Sequence, residues 1–143
     1  MSYTDLSYAA DEDSYFKESV DITPEAIQEE FIRVPADMAY WGAKYAEASR
    51  AYLIAEQAVK ECKARLRLAI RETATTKLTV DDVDARVEGS AEYQTTKMAE
   101  IEAEAAKLAA KARLDAVIAK RDMVMSLGAH IRAEMGASHI RER

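Results

Sequence analysis

The chain has 143 residues, a formal net charge of −6, and 49% hydrophobic, 32% charged and 7% aromatic residues. That length suits one domain with a modest core, and alanine-rich apolar content with only four Gly and two Pro reads as helical, close to coiled-coil usage. Without eighteen consecutive apolar residues, a secretory pattern at the start, or a second cysteine to pair with Cys62, the expectation is a chain without a membrane span in a reducing cytoplasm.

Charge is unevenly spread. Residues 1–34 carry nine acids and two bases, while the remainder carries eighteen bases and seventeen acids. Residues 1–22 show no sustained period and mix acids with Tyr8, Tyr15 and Phe16, so they are expected to form an acidic flexible leader preceding one helical domain, 23–143. The leader reads as a solvated tail, as a docking peptide, or as negative charge competing with nucleic acid for the protein's own basic face. Thr23-Pro24-Glu25 follows as a helix start, with a hydroxyl cap, proline at the first position and an acid in the first turn. Val34-Pro35 is expected to stop this short helix, because a residue before proline is pushed out of the helical region.

From Pro35 to about Thr75 a long helix is predicted. Its seam is Met38, Trp41, Tyr45, Ala48, Tyr52, Ala55, Val59, Cys62, Leu66 and Ala69, spaced alternately three and four apart. About forty residues would span roughly 60 Å, too long for a helix without a partner of similar length. Embedded in it is a basic run, Lys60, Lys63, Arg65, Arg67 and Arg71, against the single acid Glu61. Helical spacing puts Lys60, Lys63, Arg67 and Arg71 on one face and turns Arg65 away.

Thr73 to Thr76 weakens the helix, and Thr79 with Asp82 offers a new cap for a brief helix ending at Gly89 as its C′ residue. Asp81, Asp82, Asp84, Glu88 and Glu92 match no calcium loop and read as helix-start acids. A second long helix is predicted from about Ser90 to Met135, with Gly136 closing it. Its expected seam is Met98, Ile101, Ala105, Leu108, Ala112, Ala116, Ala119 and Met123, widened by Leu114, Val117, Ile118, Val124, Leu127 and Ile131, which are expected to meet neighbouring protomers. Lys107, Lys111 and Arg113, continued by Lys120 and Arg121, form a second basic cluster. The short connection makes the two long helices an antiparallel hairpin.

No catalytic constellation is visible. His130 and His139 lack carboxylate or cysteine neighbours at ligand spacing, Cys62 reads as packing, no glycine-rich phosphate loop exists, and Glu100, Glu102 and Glu104 read as an exposed acidic patch. A non-enzymatic protein without cofactor or metal is expected. The basic clusters are either solvated faces paired with neighbouring carboxylates or a surface for a polyanion.

Trp41, the stretch Cys62-Lys63-Ala64-Arg65-Leu66, and Arg113-Leu114-Asp115-Ala116-Val117-Ile118 resemble the UvsY recombination mediators of T-even-like bacteriophages, over roughly residues 23–135. The resemblance implies a single-stranded-DNA-binding protein that loads a recombinase onto strands coated by single-strand-binding protein, inside the cytoplasm of an infected bacterium. It further implies that Lys63 and Arg65 contact DNA and that protomers close into a ring. The expectation is therefore an all-α fold of two long hairpin helices, with short N-terminal and connecting helices, packed in coiled-coil fashion into an oligomeric ring. Its DNA-binding residues are expected to be Lys60, Lys63, Arg65, Arg67, Arg71, Lys107, Lys111 and Arg113. The alternative is a helical structural or adaptor protein, such as a phage scaffold or host-factor inhibitor, acting through protein contacts.

Overall fold

The computed structural model describes the backbone of residues 3–22 and 24–141, and the side chains of 11–22 and 25–137. It comprises α1 (Tyr3–Val20), a 3-10 turn (Pro24–Ala26), α2 (Ile27–Thr73), α3 (Val80–Glu88) and α4 (Ala91–Arg141), with no strand among the described residues. No described helix is long and apolar enough to cross a membrane. The chain divides into two compact units. Unit 1 comprises Met1–Lys44 and Lys111–Arg143, and unit 2 comprises Tyr45–Ala110.

Unit 1 is built on Trp41, which is 1% exposed. The 1–22 segment expected as a flexible leader contributes helix α1, and the reason lies in its aromatic residues. Tyr15 stacks on Trp41 at 6.0 Å between centroids, and Phe16 meets the indole edge-on at 5.5 Å. The indole N–H donates to Ser19 Oγ at 3.2 Å, and the Ser19 hydroxyl donates to the Tyr15 carbonyl. The Tyr15 hydroxyl donates to Asp37 at 3.0 Å. Burial, and then this bond to a carboxylate, raise the Tyr15 pKa. A sequence without helical periodicity is thus ordered by tertiary contact, which routinely overrides propensity.

The helix does not stop at Val34-Pro35. Pro35 lies inside α2, where it removes one i→i−4 hydrogen bond at a typical cost of ~3 kcal/mol. The buried row Glu30, Val34, Asp37 and Trp41 brackets the proline on both sides, so packing against α4 holds the helix where the local backbone would break it. The expected cap at Thr23 lies outside the described residues. Within unit 1 the two helices run antiparallel, with Glu30 meeting Lys120 and Phe31 lying over Gly128. A Cβ on Gly128 would stand 2.7 Å from the Phe31 ring, so glycine permits this close approach.

Lys120, expected in the second basic cluster, is buried, with its Nζ 2.7 Å from Glu30 Oε2. The contact is close but not aligned as a hydrogen bond, so its attraction is mainly Coulombic. Gly136 does not close α4, which runs on to Arg141.

In unit 2 the α2 seam follows the expected phase. Val59 and Cys62 are buried, and Tyr45, Ala48, Tyr52, Ala55 and Leu66 are half-buried, with only Ala69 exposed. Pairing is antiparallel here too: Lys107 of α4 sits over the Tyr52 ring at 4.3 Å, and Arg65 reaches Glu92. Helix α3 begins with the expected capping box between Thr79 and Asp82, and buries Val83 and Val87. Gly89 ends it with φ −78°, so no left-handed turn is involved and glycine's freedom is not required there. Ser90 then starts α4 by accepting a hydrogen bond from the Tyr93 N–H.

The phase of α4 is the main correction. Met98, Ile101, Leu108 and Met123 are 49–62% exposed, and Ala105, Ala112 and Ala119 are exposed beside them. Of the expected seam only Ala116 turns partly inward. The inward row in unit 2 is instead Tyr93, Thr96, Glu100, Ala103, Lys107 and Ala110, so Glu100 is buried and does not form part of an exposed acidic patch. In unit 1 it is Leu114, Val117, Lys120, Val124, Leu127 and Ile131. Val117 and Val124 are 0% and 1% exposed, and Leu114, Ile118, Leu127 and Ile131 are half-buried within the protomer. The set expected between protomers is thus largely spent inside one chain. Two heptad stripes share this alanine-rich helix, and the one carrying long Lys and Glu side chains faces in, because their aliphatic stems pack while their charges find partners.

Two stability experiments follow. Trp41→Ala should cost about 3–5 kcal/mol in urea unfolding, and deletion of residues 1–21 should destabilise unit 1 by uncovering the same indole. Lys120→Ala, which strands Glu30, should cost about 3–5 kcal/mol, whereas Glu30→Leu with Lys120→Met should be near neutral or stabilising.

Candidate nucleic-acid interface

Five cations lie within twelve residues of α2, all in unit 2. One turn of helix separates Lys63 from Arg67 and Arg67 from Arg71, and this row faces α3. Arg67 grips Asp84 with two bonds, Nε to Oδ1 at 2.7 Å and an Nη to Oδ2 at 2.8 Å. Lys63 stands 3.8 Å from Glu88. The Arg67 hydrogen bond lowers the Asp84 pKa, helped by the charges of Arg67, Lys63 and Arg71 in that order. All three cations therefore converge electrostatically on one α3 carboxylate. Arg71 itself has no carboxylate in ion-pair contact among the described residues.

The other two cations diverge. Lys60 turns along its own helix to Glu56 at 3.3 Å. Arg65 lies on another face, hydrogen-bonded to Glu92 of α4, and that bond raises its pKa further. The expected division of the run, with Arg65 pointing away, is what the contacts show. Lys107 is half-buried against Tyr52. Tyr45 is half-buried and Trp41 fully buried, so the indole is packing and offers no platform for a base.

Lys111 and Arg113 belong to unit 1. Lys111 pairs with Asp115. Arg113 binds Asp13 at 2.6 Å and Glu12 at 3.5 Å, and its guanidinium lies over the Trp41 and Phe16 rings at 5.4 and 5.7 Å. It is a clamp that closes α1 onto the aromatic cluster.

Two exposed bases of unit 2 were missing from the expected set: Lys77 in the α2–α3 connection and Arg86 on α3. Neither has a carboxylate in ion-pair contact among the described residues, although the Arg86 charge helps lower the Asp82 pKa. The signal for Arg86 was its position one turn after the capping acid. Overall, unit 2 holds ten bases and twelve acids, so its cationic face is local and framed by acids.

Among the described residues no group of three His, Cys, Asp or Glu side chains could hold a metal ion. Cys62 is buried as a free thiol on the seam. No family model, no curated protein and no solved structure matches the chain.

The α3 acids give a signed pH dependence. The Asp84 and Asp82 pKa values are lowered on folding, by Arg67 and by Thr79 respectively. Their contribution is present above the unfolded value, near 3.9, and is lost as pH falls through the folded values. Denaturant midpoints measured across that window should drop with acidification, and Asp84→Asn should flatten the drop.

Proposed function

We propose that this chain is a non-enzymatic recombination mediator that binds single-stranded DNA, as its resemblance to the UvsY proteins implies. It would help a recombinase displace single-strand-binding protein in the cytoplasm of an infected bacterium, and would act as a ring of protomers. The observation that carries the reading is the row Lys63, Arg67 and Arg71, fixed on one helix and gathered around Asp84, with Arg65 on an adjoining face. A rigid helix presents these charges at fixed spacing, which suits a repeating phosphate backbone and requires no base reading.

The carboxylates beside these cations are compatible with that role. Exposed ion pairs are worth about 0–1 kcal/mol, so replacing Glu88 or Glu92 by a phosphate costs little in the protein. Affinity then arises from counterion release and from repetition of weak sites across protomers.

A second reading, the helical adaptor, is favoured by one specific observation. Nearly every candidate cation already meets a carboxylate: Lys60 with Glu56, Lys63 with Glu88, Arg65 with Glu92, Arg67 with Asp84, Lys111 with Asp115, and Arg113 with Asp13. In that case the charges serve interhelix pairing and solubility alone.

Fluorescence anisotropy with a labelled single-stranded oligonucleotide, titrated at several salt concentrations, separates the two. The mediator reading expects binding that weakens steeply with salt. It also expects Lys63→Ala with Arg65→Ala to lower affinity and flatten the log–log salt slope by roughly 0.7 per lost phosphate contact, with helix content retained. Absence of binding at physiological salt, or an unchanged slope in the double variant, would overturn it.

A further inference from the structure

We infer that the outward face of α4 in unit 2 is a docking surface for a second copy of this chain, paired antiparallel through the row Ala91, Gln94, Met98, Ile101, Ala105 and Leu108. All six are exposed, with Met98, Ile101 and Leu108 at 56%, 49% and 59%. The row alternates three and four residues apart, the spacing of positions a and d in a heptad. A stripe of that period is matched along its length by another helix of the same period. An open groove lined by Ala91, Gln94, Thr95, Met98, Ala99 and Glu102 already runs along this face. The outer face of α2 in the same unit exposes Leu53 and Ile54, but Arg50, Gln57 and Glu61 interrupt it, so it carries no comparable stripe.

Size and charge select the occupant. In a two-fold antiparallel pairing, a positions meet d positions of the other copy. With Met98 against Ile101 of the other copy, Leu108 meets Ala91 and Ala105 meets Gln94, so large side chains face small or flexible ones in each layer. On the flank, Lys97 and Glu104 stand seven residues apart, one full heptad, and the same register places Lys97 beside Glu104 of the other copy. Two-fold symmetry makes that contact twice. Lys97 is only half-buried, its pKa raised by its bond to Glu100, so its outer side stays open to a second carboxylate. Shifting the register by one heptad would set Lys97 against Lys111 and Glu104 against its own counterpart, and like charges oppose that alignment. Repeating the same row in parallel would bring Ile101 onto Ile101 and give up the Lys97–Glu104 pairs.

The pairing deepens the self-association part of the reading above. It is isologous, and it replaces the Leu114–Ile131 set as the contact between copies. Because it is measured without nucleic acid, its failure is distinguishable from failure of strand binding.

Sedimentation velocity of the full chain over a broad concentration range is the test. The wild type should shift from the mass of one chain to twice that mass. Ile101→Asp and Leu108→Asp, at exposed positions, should remain at the mass of one chain with unchanged circular dichroism. Glu104→Lys should weaken association less severely. For orientation, mild oxidation of Met98→Cys mixed with Ile101→Cys should give a cross-chain disulfide that neither variant forms alone. A wild type that stays at the mass of one chain throughout, aspartate variants that associate as tightly as the wild type, or disulfides formed by each cysteine variant alone would overturn the proposal.

Discussion

Burial of the Trp41 indole is the interaction on which unit 1 depends. Three aromatic rings, a serine hydroxyl and a guanidinium converge on it. The indole N–H is satisfied within the protein, which is the condition for burying it without a large desolvation cost. From that contact follow the order of α1, the fixed position of Arg113, and the persistence of α2 through Pro35. Each of these elements is locally unfavourable or indifferent, and each becomes favourable once the indole needs covering.

Charge in this protein does two kinds of work, and burial tells them apart. Asp37, Glu30, Glu100 and Lys120 lie within the helix seams, where a residue with the wrong partner would cost several kcal/mol. Such groups penalise sliding of one helix along the other far more than a uniform stripe of alanine and leucine would. The surface cations of α2, by contrast, meet carboxylates in exposed pairs that are individually weak. They can exchange partners at little cost, and that quality makes the same residues eligible as a phosphate surface.

The residues resembling the UvsY family fall into both groups. Trp41 and Arg113 turn out to be architectural, one the buried hub and the other its clamp. Lys63 and Arg65 remain on the surface of α2, on different faces and with different counter-ions. A motif read as one functional unit thus divides between packing and surface chemistry. Substitutions in its two halves should differ in kind, with loss of stability from the first and loss of ligand affinity from the second.

The sequence by itself determined that the chain is helical, that two very long helices dominate, that Thr79 and Asp82 cap the short connecting helix, and that Cys62 sits on a seam. Each of these depends on local chemistry or on periodicity, which are written in consecutive residues. It also located the cationic run and the divergence of Arg65, because helical geometry fixes which neighbours share a face. Only the tertiary structure decided which of the two heptad stripes on α4 faces inward. Both stripes have the same period, and the choice between them rests on partners distant in sequence: Tyr52 for Lys107, Glu30 for Lys120. Tertiary contact likewise turned an aperiodic acidic segment into α1 and carried α2 across a proline, since the burial that outweighs local preference comes from elsewhere in the chain.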